Sequence, residues 1–288
     1  MRWKKVTLIG VGLLGGSLGA ALRQRRLADS VTGFVRRAAS VRECITAGVV
    51  DSATRDLHEA VEGAELIVLC TPISRMGPLF EQMLPALKKN VIVTDVGSVK
   101  ATVVRDLEPL AARAKANFVG SHPMAGAEKM GVAAARADLF VGAICVVTPT
   151  LRSNQSAVRK VAALWKSVGS RVMQMAPARH DELVSRSSHL PHIVAGVLAN
   201  LVLDPVWPRE QGLLCATGFR DSTRVASGSP EMWRDIEIAN GKNLGKALSL
   251  FIRGLQKARR LIATKDPRLI EQFLAQAKSR RDQWREME

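Results

Sequence analysis

The first 176 residues alternate between short apolar runs and longer stretches with a helical apolar period. Val6–Gly10 (VTLIG) reads as a strand and Leu14–Arg26 as a helix. Val31–Val35 predicts a second strand and Ala38–Ala47 a second helix. Leu66–Thr71 (LIVLCT) and Val91–Asp95 (VIVTD) are continuous apolar runs, the pattern of strands buried on both faces. Helices are predicted around Met76–Lys88 and Val99–Ala116, with strands at Phe118–Ser121, Ala143–Thr148 and Arg171–Met175. Such alternation implies βαβ units in a doubly wound sheet. After Pro177 the β-branched runs thin out and helical periodicity dominates. Residues 178–203 predict one long helix kinked at Pro191, residues 231–264 another, and 267–285 a basic terminal helix opening after Asp266-Pro267. The expected architecture is α/β: a doubly wound domain over residues 1–176, then an all-helical domain over 177–288.

Gly10-Val-Gly12-Leu-Leu-Gly15 lies between the first strand and the first helix. In that setting GxGxxG reads as a Rossmann-type phosphate loop. Gly10 permits the turn, Gly12 admits a pyrophosphate and Gly15 lets helix pack on strand. The helix N-terminus offers free N–H groups to the phosphates. Gly10, Gly12, Leu13, Leu14 and Gly15 are therefore assigned to a dinucleotide. An NAD site usually carries an acid at the end of the second strand, for the ribose hydroxyls. Here Val35 stands in that region, and Arg36 and Arg37 follow. Guanidinium groups suit a 2′-phosphate, so NADP is favoured over NAD.

Composition narrows the remaining classes. With 288 residues and 47% apolar side chains, the chain can build a real core and is not disordered. No apolar run approaches the ~20 residues of a membrane span. The start, Met1-Arg-Trp-Lys-Lys, leads straight into a strand without a signal region, so a cytoplasmic location is expected. The four cysteines are far apart and show no metal-ligand spacing; Cys70 and Cys145 read as buried thiols. The chain has no tyrosine, which removes one common acid–base group. Its net charge is +16; residues 1–176 hold 24 basic and 13 acidic residues, a net of +11. That excess suits nucleic acid, an acidic membrane surface or small anionic ligands. Aromatics are only 4%, and no basic stripe is interleaved with Phe or Trp. Neither a stacking platform nor a helix-turn-helix is evident, so nucleic acid and membrane are not expected partners.

Three polar segments end later strands, where open α/β sheets bind ligands. They are Cys70-Thr71-Pro72, Asp95-Val-Gly97-Ser98-Val-Lys100, and Ser121-His122-Pro123-Met124-Ala125-Gly126. His122 is a natural acid–base group at neutral pH. Ser98 suits a substrate hydroxyl or the orientation of the histidine, although a serine there also suits a helix cap. In the helical half, His189 and His192 share a helix face, but no third ligand is evident and no metal is expected. Arg220, Arg224 and Arg234 are candidates for carboxylate recognition, or for pairing with Asp221 and Asp235.

In order along residues 6 to about 240 stand GVGLLGGSLG, CTP, DVGSVK, SHPMAGAEKMG, HLPH and FRDSTRVASGSPEMWRDI. The set resembles the prephenate/arogenate dehydrogenase family of tyrosine biosynthesis. The resemblance implies a Rossmann-type domain, a helical domain that makes a homodimer, and a small-molecule substrate. It implies oxidative decarboxylation of prephenate to 4-hydroxyphenylpyruvate and CO2, with hydride transfer to NAD(P)+, or of arogenate to tyrosine. It further implies that His122 accepts the proton of the C4 hydroxyl and that Ser98 hydrogen-bonds that hydroxyl and the histidine. His192 matches a substrate-contacting histidine, Arg224 a carboxylate-binding arginine and Trp233 a pocket tryptophan. Ser121 and Gly126 are carried over as substrate-binding, Thr71 and Pro72 as cofactor-binding. The chain departs from some relatives at Ala127, where they carry a hydroxyl residue. Asp221 suits the amino group of arogenate or an arginine, so the choice between substrates stays open. No regulatory ACT-type domain or mutase domain is expected, and feedback by tyrosine would act in the active site or at the dimer interface.

Two other classes compete. β-Hydroxyacid dehydrogenases also pair a Rossmann domain with helices and use a helical lysine; Lys242 and Lys246 lie in a helix without a recognisable motif around them. A dinucleotide sensor or nucleic-acid-binding protein is motivated only by the charge.

Overall fold

The computed structural model describes residues 2–126 and 130–285. Ala127 lies outside the described residues. A single sheet of eight strands organises the chain in the order β3-β2-β1-β4-β5-β6-β7-β8. The strands are β1 (Trp3–Ile9), β2 (Ala28–Phe34), β3 (Ser52–Thr54), β4 (Leu66–Leu69), β5 (Ile92–Asp95), β6 (Asn117–Pro123), β7 (Ile144–Thr148) and β8 (Arg171–Gln174). Pairing is parallel from β3 through β6, antiparallel between β6 and β7, and parallel again between β7 and β8. A parallel return needs a crossover, usually a helix. Among the described residues between β6 and β7 there is only a short 3-10 turn at Val132–Ala134, and β7 returns antiparallel. The order reverses between β1 and β4, which opens the crevice where doubly wound sheets bind ligands.

The helices are α1 (Leu13–Gln24), α2 (Ala38–Thr46), α3 (Leu57–Val61), α4 (Ile73–Met83), α5 (Ala101–Arg113), α6 (Gln155–Ser167), α7 (Pro177–Val184), α8 (Leu190–Val202), α9 (Arg209–Leu213), α10 (Thr217–Thr223), α11 (Pro230–Ala239), α12 (Gly241–Thr264) and α13 (Pro267–Arg285). Two apolar cores lie on the sheet. One gathers Leu8, Leu18, Leu22, Phe140 and Trp165, with an edge-to-face pair between the last two at 5.3 Å. The other gathers Met76, Phe80, Met83, Val103, Leu107 and Phe118. Each such buried side chain contributes roughly 1.5–3 kcal/mol.

The helical half differs from the sequence expectation in two instructive places. The stretch over 178–203 is not kinked at Pro191 alone: Ser185–His189 forms a π turn between α7 and α8. The ring of Pro191 removes an N–H and collides with a carbonyl one α turn back. A wider turn just before it relieves both problems. The stretch over 231–264 is two helices, because α11 stops at Asn240. The Asn240 side chain is buried and donates to the Asp181 carbonyl at 2.8 Å, so it is committed to tertiary structure.

The chain divides into two compact units, residues 1–241 and residues 242–288. The second holds nearly all of α12 and the whole of α13. Among the described residues, no helix is long and apolar enough to cross a membrane.

Candidate active site

The loop after β1 is built for close approach. Gly10 has φ +94°, a conformation that favours glycine, and its N–H bonds the Phe34 carbonyl at 3.0 Å. A Cβ on Gly15 would stand 2.1 Å from the Gly10 carbonyl oxygen, so α1 reaches the strand only with glycine there. Gly12 is the cap residue of α1 and has open space where a Cβ would lie. No side chain caps α1, which leaves the first N–H groups facing the crevice. Leu13 is buried in the core and Leu14 is half-buried, so these two offer main chain rather than side chain. Across the switch point, Thr71 approaches Gly10, and its buried Oγ1 has no hydrogen-bond partner. Pro72 is exposed and caps α4. An open glycine, an uncapped helix start and an orphaned hydroxyl fit the phosphates of a dinucleotide. At the end of β2, Val35 is buried, while Arg36 and Arg37 are exposed. Arg37 reaches Ser40 and Glu43, and the Arg36 carbonyl holds Arg55 Nε at 3.2 Å.

His122 stands near the C-terminal end of β6 on a buried ionic frame. Lys100 and Asp95 are fully buried and paired. The Lys100 ammonium also donates to the Ser121 carbonyl at 2.8 Å. Asp95 receives the N–H groups of Gly97 at 2.8 Å and Ser121 at 3.1 Å. Burial pushes the Lys100 ammonium down, against the pull of Asp95 and Asp181. Ser121 is fully buried, and its hydroxyl donates to the Asp95 carbonyl at 2.6 Å while accepting from Trp165 Nε1 at 2.9 Å. That hydroxyl is committed to the frame. Ser98 lies half-buried in the loop after β5, on the same side of the sheet end as the frame. Gly126 is exposed beyond β6.

The helical residues close over this frame. His122 Nδ1 is 2.8 Å from His180 Nε2, and His180 Nδ1 is 2.8 Å from Asp181 Oδ1. Asp181 also accepts the N–H groups of Lys100 and Ala101, at 2.7 and 2.8 Å, and so caps α5. Burial, then His180, Lys100 and His189, hold the His122 imidazole well below its usual range. Burial likewise lowers His189 to about 4. His189 Nδ1 faces the Asn240 amide at 3.1 Å, and its buried Nε2 has no partner. His192 lies flat on Trp233 at 3.6 Å, with Nδ1 3.3 Å from Glu237 and an unpartnered buried Nε2. A wall of Trp233, His192, Arg234, Glu237 and Pro230 borders a cavity of about 500 Å³. Arg224 opens a 3-10 turn that packs against α8, the helix of His192. Arg234 is committed to Asp235 at 2.7 Å; Arg220 and Asp221 are exposed on α10.

The structure thus joins His122 to a helical cluster and leaves Arg36, Arg37 and Gly126 on exposed loops. It gives a role to Asp95 and Lys100, which the sequence marked only as the ends of a polar segment, and adds His180 and Asp181, which sequence reasoning did not single out. The signal was present: His180 is one of only five histidines and stands beside an aspartate just after the first domain.

Comparison with known proteins agrees with this geometry. Residues 18–174 match the family model described as the nucleotide-binding domain of prephenate dehydrogenase, and residues 176–276 match its dimerization domain. A cyclohexadienyl dehydrogenase of Zymomonas mobilis is 34% identical over 96% of this chain and 95% of its own length. The prephenate dehydrogenase of Aquifex aeolicus, solved with hydroxyphenyl propionate and NAD+, superposes with a TM-score of 0.92 at 30% identity, covering 98% of this chain and 99% of that one. An arogenate dehydrogenase of Synechocystis superposes with a TM-score of 0.82 at 31% identity, covering 97% and 99% of the two chains. Matched in both halves and along nearly its whole length, the chain belongs to the prephenate dehydrogenase family, and it is a nucleotide-binding dehydrogenase.

Proposed function

We propose that the chain oxidises and decarboxylates prephenate to 4-hydroxyphenylpyruvate and CO2, passing hydride to NADP+. The observation that carries this reading is His122. It is a buried imidazole near the C-terminal end of β6, held well below its usual range, with Nδ1 2.8 Å from His180 Nε2, and its Nε2 is the nitrogen assigned to substrate. The nicotinamide, when bound, supplies the hydride acceptor. His122 Nε2 takes the C4 hydroxyl proton as the C4–H bond breaks. It returns that proton to the phenolate oxygen once CO2 has left C1, so no net proton is released. Aromatisation favours the products, and the protein's work is to hold one base and one carbonyl-forming carbon in register. Ser98 is assigned to the same hydroxyl, Arg224 to a substrate carboxylate, and the stacked His192–Trp233 pair to the ring pocket. The polarity and burial of this site match a dianionic substrate better than a nucleic acid.

Arg36 and Arg37 follow the end of β2, where an acidic residue would select NAD, and Arg55 Nε reaches the Arg36 carbonyl there. This supports NADP, although the Aquifex relative was solved with NAD+. The domain division is proposed to follow the chemistry, with residues 1–176 for the cofactor and 177–288 for substrate and association. Exposed Leu250, Leu255 and Ile262 on α12 support a homodimer through the helical part.

A two-by-two assay with prephenate or arogenate and NAD+ or NADP+ tests the function. The highest kcat/KM is expected with prephenate and NADP+. Turnover of neither substrate would sink the reading, preference for arogenate would change its substrate, and equal or better use of NAD+ would defeat the cofactor assignment. Arg224→Ala is expected to raise the substrate KM about 10–100-fold with kcat little changed, because a charge-assisted pair made in ground and transition states is lost. An unchanged KM would remove Arg224 from the carboxylate site.

A further inference from the structure

We propose that Asp181 and His180 are positioning residues that fix the tautomer of His122, so that its base nitrogen faces substrate. The inference rests on the dehydrogenase reading above and deepens its acid–base step. It begins from the donors around Asp181. Its carboxylate receives the Lys100 and Ala101 N–H groups, and every partner it has there is a donor. Facing Oδ1 at 2.8 Å, His180 Nδ1 therefore carries its proton. In neutral His180 the other nitrogen, Nε2, is then a lone pair. Nε2 lies 2.8 Å from His122 Nδ1, so His122 must donate from Nδ1. Only one arrangement remains for neutral His122: hydrogen on Nδ1, lone pair on Nε2. The carboxylate sets the far nitrogen through two rings, as a carboxylate sets a single ring in an Asp–His pair.

The same chain matters once Nε2 has taken the substrate proton. The resulting imidazolium is buried, the groups that act on it from other elements are His180, Lys100 and His189, and the Cys145 thiol on β7 meets the His122 backbone. Lys100 adds repulsion, and the Asp181 carboxylate, reached through His180, is the anion in line with the ring. Passing the Nδ1 proton to His180 Nε2, and the His180 Nδ1 proton toward Asp181, spreads the charge without moving a heavy atom. The protons return along the same path when the phenolate is reprotonated. His180 and Asp181 lie on α7, the first helix after the sheet, while His122 lies on β6. The base is thus completed across the junction between the sheet and the helices.

The first test needs no substrate. In 15N-histidine-labelled enzyme, the His122 signal is expected to report Nδ1–H in the parent and a mixture of tautomers in His180→Phe. An unchanged tautomer in His180→Phe would overturn the proposal whatever the enzyme's substrate proves to be. The second test is kinetic. His180→Phe is expected to lower kcat about 100-fold or more, with substrate KM within about threefold, and to shift the acid limb of the kcat/KM profile. His180→Gln can accept from His122 Nδ1 through its amide oxygen but cannot relay charge, so it is expected to recover part of that loss. Equal kcat in His180→Phe and parent, or equal losses in Phe and Gln variants that fold with parental Tm, would overturn it. If the parent turns over no dienyl substrate while the tautomer shift is seen, the dehydrogenase reading fails and the positioning role stands.

Discussion

Replacing His122 by Asn is expected to cut kcat by about 10²–10⁴-fold while leaving substrate KM close to that of the parent, the usual share of a positioned general base. Asparagine keeps a polar group in the buried slot and donates toward His180, so the frame has little reason to move. It has no lone pair of imidazole basicity to offer the C4 hydroxyl. A kcat near the parental value would show that another group takes the proton. The parental pH profile carries the same information. The neutral ring is the active form, so kcat/KM falls on the acid side. Burial, then His180, Lys100 and His189, hold the His122 pKa well below 6.5, so the midpoint of that limb lies below 6.5 in free enzyme. Stability follows the same sign. His122 and His189 bind protons more weakly folded than unfolded, since both values are lowered. The unfolded chain therefore gains protons first as pH drops, and stability declines from about pH 6.5 downward.

Lys100→Met is expected to cost about 3–5 kcal/mol of folding stability, a large part of the total for an ordinary domain. The cause is not the loss of an attraction alone. Methionine fills the volume but leaves Asp95 as an uncompensated charge with no exposed surface. It also strips a donor from the Ser121 carbonyl, directly before His122. Adding Asp95→Asn to Lys100→Met is expected to recover part of the loss, because the amide oxygen still accepts from Gly97 or Ser121 while the buried charge is gone. Urea unfolding of the two variants measures both steps. A cost below about 1 kcal/mol for Lys100→Met would mean that water or a local shift solvates Asp95. The contrast with the surface is direct: Arg105–Asp106 and Lys278–Asp282 are also close pairs, but both stand in solvent, where such pairs contribute little.

How much of this was legible in the sequence depends on where each signal was local. The runs LIVL and IVTD announced β4 and β5 because strands buried on both faces need unbroken apolar residues. GVGLLG announced the crevice because helix, turn and close approach are all encoded within six residues. Ser52–Thr54 escaped, being three residues long, at the sheet edge, and with no buried side chain. The antiparallel return of β7 escaped because pairing direction depends on what lies between strands, and no periodic pattern marks that connection. Ser121 carried no signal of the side it faces. Alternation along β6 sends neighbouring side chains to opposite faces, but a sequence does not say which face is the core. The His180–Asp181 pair stood in the sequence, but its role was hidden for a plainer reason. Its partners are 58 and 81 residues away, at His122 and Lys100, and only the fold brings them together.

One residue of helix length decides how the second half presents its histidines. At 100° per residue, nine α-helical steps from His180 to His189 would turn the ring to the opposite side of the helix, about 180° away. The π turn at Ser185–His189 holds one residue more than an α turn would. The nine steps then count as eight, and the two rings sit about 80° apart, within a quarter turn of one another. His192, three residues on, returns close to the phase of His189 and meets Trp233. The widened turn is a phase shifter. Straightened into an α-helix at its full length, the segment would keep His180 against His122 while His189 and His192 swung round to face away from it; with one residue between Ser185 and Ser188 also taken out, eight α-helical steps restore the same phase.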